Sequence, residues 1–380
     1  MDLGMADTGT LFEATVFLHH FKDLDDPRQR GKVMYPLDEV LLLALIAVLA
    51  GADSFVDIAR FGDMKLELLR RFRPFVDGTP SHDHLGDIFA SLDAEQFQRC
   101  FASWAAALTG VPEGVVAVDG KTVRRSGGKA GKGAIHMVSA FAARQRLVLG
   151  QVKVAEKSNE ITAIPKLLDL LAIEGAIVTI DAMGCQRAIA RKIIGKKADY
   201  VFGLKGNQGS LRKDVDLFVA EQRSRDFKDT KISQATTIDA DNGRIETRKT
   251  TVIEDAGWLQ KDHDWPGLKA VVMVESTRET AGVIQEETRL YITSLTMHAD
   301  LMGPVIRSHW AIENSLHWVM DMVFRDDECR VRTDHAPANF STIRHMAQNL
   351  LRRPVRKESL RLRRKLAGWD DEFLASLVRA

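Results

Sequence analysis

Val115-Val116-Ala117-Val118-Asp119 is an apolar run that ends in an acid, and Ile177-Val178-Thr179-Ile180-Asp181 has the same form further along the chain. Apolar runs of this length bounded by turn residues read as buried strands. Between them, Ala134 to Ala142 and Leu147 to Val154 alternate as two more strands, joined by a tight turn around Arg144. A helix is expected from Glu160 to Leu171 with Asn159 as its cap, another from Cys185 to Ile194, and a fifth strand from Tyr200 to Leu204. Three meandering strands followed by helix, strand, helix, strand describe a mixed α/β sheet.

Outward from this core the period changes. Residues 1–110 read as all-helical: Leu37–Leu49, Ser54–Phe61, Met64–Phe72, a helix after Pro80 with Ser81 as N-cap, and Ala94–Leu108. After residue 209, a helix over 210–222 leads to Thr-, Val- and Ile-rich stretches at 232–238, 244–253, 269–276 and 286–293, an antiparallel insert. Residues 299–322 and 337–353 return to a helical period, followed by a basic stretch and a short helix at 370–378. The expected parts are 1–110, helical; 111–209, the first part of the sheet domain; 210–296, a β-rich insertion; 297–353, its second, helical part; and 354–380, a basic tail. The strand order is that of a ribonuclease-H-like mixed sheet, a likeness of fold alone.

Composition excludes several classes. With 45% apolar and 28% charged residues among 380, the chain is ordinary globular protein. Cys100, Cys185 and Cys329 are too few and too scattered for a disulfide scaffold or a structural zinc cluster, and Cys185 is expected to be packing. No basic-then-apolar leader opens the sequence, and the longest apolar run, Val40–Ala52, falls short of the roughly 20 residues that span a bilayer. A cytoplasmic setting without a membrane partner is expected. The net charge of +1 hides an uneven distribution: nine Lys/Arg against Glu156 over 121–157, eight against Asp199 over 187–213, and eight against Glu358 over 352–365. Three such stretches favour a polyanionic partner, because clustered cations neutralise phosphates.

Acids at the carboxyl ends of strands converge outside the core. Neighbouring carboxylates such as Asp119 and Asp181 repel one another unless a cation lies between them, and hard oxygen ligands suit Mg2+ or Mn2+. A third acid is offered by His309-Trp310-Ala311-Ile312-Glu313-Asn314-Ser315-Leu316-His317-Trp318, where His309, Glu313 and His317 are spaced four apart and share a helix face, with Asp321 next along it. Asp326, Asp327 and Glu328 are rivals for that place. Zinc on His309, Glu313 and His317 is disfavoured, because a straight ridge does not converge. Lys121, Arg124, Arg125 and Lys205 follow the strand ends and suit a DNA backbone. Gly127, Gly128, Gly131 and Gly133 lack the lysine-serine/threonine ending of a phosphate loop, so no nucleotide cofactor is expected. His19, His20, His82 and His84 read as structural or surface residues.

The chain resembles bacterial insertion-sequence transposases with an RNase H-like DDE domain, of the branch that includes the H-repeat-associated proteins. The likeness is carried by 117–124 (Ala-Val-Asp-Gly-Lys-Thr-Val-Arg), Glu156 to Pro165, Thr179 to Gln186, Leu204 to Gly209, Gly243 to Arg248 and His309-Trp310 through His317-Trp318. Asp26-Pro27-Arg28 and Pro80-Ser81-His82-Asp83 match the family's N-terminal associated domain. The resemblance implies cleavage at the ends of a mobile element and joining to target DNA. It places the triad on Asp119, Asp181 and Glu313, holding two Mg2+ ions that Mn2+ can replace, and it implies a homodimer on double-stranded DNA. Arg244, Arg307, His309 and His317 join the DNA-contact candidates. Related hairpin-forming enzymes have tyrosine, arginine and lysine where Ile306, His309 and Met320 stand, so hairpin chemistry does not carry over. The family's Gly-His-Gly-Arg is here Asp241-Asn242-Gly243-Arg244. The rival readings are a simple metal-dependent nuclease and a domesticated or inactive DNA-binding relative.

Overall fold

The computed structural model describes residues 13, 15–127, 133–155, 158–228, 230–241, 244–280, 282–353 and 357–379. Gly128, Gly131, Glu156, Lys157, Asn242 and Gly243 lie outside them. The helices are α1 (Val16–His20), α2 (Leu37–Leu49), α3 (Phe55–Met64), α4 (Leu66–Leu69), α5 (His82–Ser91), α6 (Ala94–Thr109), α7 (Glu160–Leu170), α8 (Arg187–Gly195), α9 (Gly209–Ser224), α10 (Gly257–Asp262), α11 (Ala299–Ser308), α12 (Trp318–Met322), α13 (Ala336–Arg352), α14 (Leu360–Trp369) and α15 (Asp371–Arg379). The strands are β1 (Val115–Thr122), β2 (His136–Ala142), β3 (Leu147–Lys153), β4 (Ile177–Ile180), β5 (Asp199–Leu204), β6 (Ile232–Asp241), β7 (Arg244–Ile253), β8 (Ala270–Thr280) and β9 (Val283–Thr293). Among the described residues no helix is long and apolar enough to cross a membrane.

The chain forms two compact units. One comprises Met1–Trp104, Val123–Ile135 and Met320–Ala380 and is helical. Its centre is α2, apolar on every side and buried from Glu39 to Leu49. Ser54 and Ser81 cap α3 and α5 by accepting the N–H groups of Asp57 and His84. Helix α13 packs on α2 and α5. Within it Asn339 donates to the carbonyls of Phe89 and Leu92, and Arg344 forms a fully buried pair with Asp326 at 2.7 Å.

The basic stretch 352–365 contains a feature that its charge conceals. Ser359 caps α14, and Arg364 is buried, donating to the carbonyls of Val48 and Ala52 at the C-terminal end of α2 and to Asp53. Carbonyls at a helix end carry partial negative charge and lack intrahelical donors. At least this one cation of the tail therefore serves the helical core.

The second unit, Ala105–Thr122 and His136–Val319, is built on one nine-stranded sheet of order β3-β2-β1-β4-β5-β9-β8-β7-β6. Strands β1, β4 and β5 are parallel neighbours and every other pairing is antiparallel. This is an RNase H-like core. The β-rich segment does not form a sheet of its own: β9 pairs with β5 through Val201↔Thr293 to Leu204↔Leu290, so the insert continues the central sheet. Residues alternate between faces along a strand. Val116, Val118, Val138 and Val178 join α7 and α8 in one core, while Val201, Val252 and Val272 join α11 in the other.

Candidate active site

Parallel pairing of β1 with β4 sets Val118 opposite Ile180, so Asp119 and Asp181 leave neighbouring strands at the same height. Alternation turns Val118 toward α7 and Asp119 toward the α11 face. Thr179 belongs to that same face, and its hydroxyl meets His309 Nδ1 at 3.0 Å just after α11. Asp181 Oδ1 accepts the N–H groups of Met183 and Gly184 at 3.0 and 3.3 Å, a turn that fixes its carboxylate.

The expected straight ridge of His309, Glu313 and His317 is corrected by the backbone. After α11 the chain turns at His309-Trp310, and Glu313–His317 form a single π-helical turn before α12. A π turn widens the helix and breaks the four-residue register. His309 therefore sits against β4, whereas His317 Nδ1 lies 3.6 Å from Asp119 Oδ2, just past the point where β1 stops pairing with β4. Glu313 lies between the two histidines in sequence and is exposed.

The electrostatics follow this placement. Burial pushes the Asp119 carboxyl up to about 7; the Gly120 N–H opposes the rise, and Glu160, Asp181 and Glu313 add to it. Partial desolvation by its neighbours raises Glu313 as well, although its side chain reaches solvent, with the Arg289 guanidinium opposing. Burial holds the His309 imidazole below its usual range, against the pull of Asp181. Asp181 and Glu313 are thus both within electrostatic reach of Asp119. Their oxygen donors suit a hard cation in kind. Among the described residues, however, no group of three or more His, Cys, Asp or Glu side chains is gathered closely enough to hold a metal ion. The histidines engage Thr179 and Asp119 separately, which fits no zinc centre.

A cleft of about 310 Å³ opens beside these acids, lined among others by Asp181, Lys205, Arg289, His309, Trp310 and Glu313. Lys205 is exposed there, and Lys121 follows Asp119 by two residues on the same face of β1. The guanidinium of Arg289 lies over the Trp310 ring, 5.3 Å from its centre. Arg244 and Arg307 line a neighbouring cleft, where each is in an ion pair, with Glu246 and Asp239 respectively. Arg124 is largely exposed and lies 3.3 Å from Asp327, and the Arg125 carbonyl accepts from Arg332. The rival acids are otherwise engaged: Asp326 with Arg344 and Asp327 with Arg124.

Sequence reading missed Arg289, whose only local signal is its place in an alternating strand, and it missed Glu160 and His136. His136 Nε2 lies 2.7 Å from Glu160 Oε1, and His136 Nδ1 lies 2.8 Å from Thr122 Oγ1.

Comparison with known proteins adds a family. Residues 18–105 match the family described as DDE_Tnp_1-associated, and residues 111–350 match the one described as Transposase DDE domain. YbfL of Escherichia coli (strain K12) is 37% identical over 374 residues, covering 96% of this chain and 98% of that one. The H repeat-associated YhhI of the same strain gives the same figures. YncI of Escherichia coli O157:H7 is 40% identical over 370 residues, covering 94% of each chain.

Proposed function

The chain belongs to the H-repeat-associated family of DDE transposases, and from that premise we propose that Asp119, Asp181 and Glu313 are the acids with which it cuts insertion-element ends and joins them to target DNA. The observation that supports this reading most is the pairing of Val118 with Ile180, which brings two acids to adjacent strand ends, where the Asp119 carboxyl also feels Glu313.

Asp119, Asp181 and Glu313 would hold two Mg2+ ions, or Mn2+ in their place. Held there, such ions would supply Lewis acidity at the scissile phosphodiester and would lower the pKa of the attacking group. The remaining work falls to the chain. His309, held by Thr179 and kept neutral by burial, presents no competing positive charge beside Asp181. Lys205 lines the cleft next to Glu313 and neutralises a phosphate of the strand that enters it, whereas Arg289 in the same lining is paired with Glu287. Water is the first nucleophile and a DNA 3′-hydroxyl the second, so no covalent protein–DNA intermediate is required. The expected partners are the element's terminal repeats and target DNA, bound by a homodimer.

The test is incubation of the purified protein with labelled DNA carrying the gene's flanking ends, in Mg2+ and in EDTA, beside Asp119→Asn. Nicking at a fixed end position, abolished by EDTA and by the substitution, followed by joined products, is the expected result. Cleavage without end specificity or joining would reduce the protein to a nuclease. Binding without cleavage in either Mg2+ or Mn2+ would overturn the reading.

A further inference from the structure

We propose that Glu160 is a positioning residue of the site, acting with His136 and Thr122 as a brace that fixes the end of β1 and so the direction of the Asp119 carboxylate. The inference rests on the assignment of Asp119 above.

The geometry begins with what β1 lacks. Its pairing with β4 ends at Val118↔Ile180, whereas its pairing with β2 continues through Thr122↔His136. From Asp119 to Thr122 the strand therefore pairs with a neighbouring strand along one edge only. A strand held on one edge twists and frays more readily than one held on both. Asp119 is the first residue of that half-held segment.

The other support comes from the opposite face. Gly120, Thr122 and His136 share the face covered by α7, and Glu160 is the first residue of that helix. The Glu160 carboxylate and the His136 imidazole meet directly over Gly120: a Cβ built there would lie 2.2 Å from Glu160 Oε1 and 2.4 Å from His136 Nε2. An ionised carboxylate only accepts, so Nε2–H donates to Glu160, and in the neutral ring Nδ1 then accepts the Thr122 hydroxyl. The chain of contacts runs from α7 through β2 to the last residue of β1 and closes over the backbone between Asp119 and Lys121. Glu160 is 14% exposed in its side chain and His136 29%, so the bond between them competes with little water, whereas the Thr122 end of the brace is exposed.

The brace lies behind the strand, whereas Asp119 faces α11. Glu160 therefore positions Asp119 through the backbone, and its charge adds a separate through-space repulsion on that carboxyl. A carboxylate displaced by about 1 Å can cost on the order of 10²-fold in rate, and relaxation of a half-held strand end is a displacement of that kind.

Glu160→Ala, Glu160→Gln and Thr122→Val are to be compared with the wild type and Asp119→Asn in the full chain. Three quantities are read: single-turnover cleavage of pre-bound end DNA, DNA affinity without divalent ions, and backbone amide exchange over residues 118–123. Glu160→Ala is expected to cleave at least about tenfold more slowly, with DNA affinity within about twofold, and to exchange faster at 119–122. Glu160→Gln, which still accepts from His136, is expected to restore the rate to within about threefold and the protection fully. Thr122→Val is expected to fall between them, and it keeps the idea testable if Glu160→Ala does not fold. Wild-type rate and protection in both Glu160→Ala and Thr122→Val would overturn the proposal, as would a Glu160→Gln variant as slow as Glu160→Ala. If instead the wild type does not cleave, or Asp119→Asn cleaves as well as it, the assignment of Asp119 fails; the exchange data still decide whether the brace holds the strand.

Discussion

Gly120→Ala isolates the contact on which the brace depends. Nothing in the backbone demands glycine here, because Gly120 is not among the residues with positive φ. The demand is for space. A new Cβ would stand 2.2 Å from Glu160 Oε1, 2.4 Å from His136 Nε2 and 2.6 Å from Glu160 Cδ, against about 3.5–4.0 Å for comfortable contact. The 2.7 Å bond between His136 and Glu160 must open to admit it. Losing a hydrogen bond to a charged group costs about 1.5–3 kcal/mol, and residual overpacking adds toward about 1 kcal/mol. The stiffer unfolded chain returns about 0.4–1 kcal/mol. A net destabilisation of about 2 kcal/mol follows, read as a lower urea midpoint. The same substitution made in Glu160→Ala meets no carboxylate, and His136 is free to swing aside, so its cost there should fall below about 0.5 kcal/mol. The double-mutant cycle should thus show a coupling of about 1.5 kcal/mol. Additive costs within about 0.3 kcal/mol would refute the reasoning, since they would mean that Glu160 does not occupy the space above Gly120.

Two further outcomes are expected. Lys205→Ala should weaken DNA binding and make the slope of log K against log salt shallower by about 0.9, the signature of one lost phosphate contact, whereas Arg307→Ala should change the slope less, because Arg307 is ion-paired with Asp239, a carboxylate it shares with Arg248; equal changes in the two variants would contradict this division. In EDTA, Asp119→Asn should gain stability over the wild type as pH rises from about 4 to about 7, by up to about 4 kcal/mol. The native carboxyl, pushed up to about 7 by burial, keeps a proton that the unfolded chain releases near pH 4, so ionisation opposes folding across that window. Urea midpoints at pH 5 and pH 8 that differ from wild type by the same amount would refute this.

What was legible in the sequence was what local pattern encodes. The apolar runs at 115–118 and 177–180 each ended in an acid, and both appear as adjacent parallel strands. The all-helical opening and the strands expected at 244–253 and 286–293 likewise followed from periodicity, the latter starting three residues earlier in the structure. The failures have a different origin. Four-residue spacing over 309–317 presumes α geometry, and the π turn at Glu313–His317 has no signature in residue type. Arg364 sits in a run of cations that reads as solvated, yet its partners include backbone carbonyls more than 300 residues earlier. His136 and Glu160 lie on different elements, 24 residues apart, and neither is unusual in its own neighbourhood. Tertiary partners of this kind leave no local trace.

One strand nevertheless separates the two kinds of work. Along β1 the odd positions Asp119 and Lys121 face α11, where charge is needed, and the even positions Gly120 and Thr122 face α7, where the strand is held. The consecutive residues Asp-Gly-Lys-Thr therefore alternate between chemistry and support. The glycine is the one member whose contribution is an absence: without a side chain it lets a carboxylate and an imidazole from two other elements reach the backbone. Substitutions at 119 and 121 should then act mainly through charge, and those at 120 and 122 mainly through the position of a charge that they do not carry. The distinction follows from the two-residue period of a strand, and on the proposed assignment it would let a strand paired along one edge keep the Asp119 carboxylate in place.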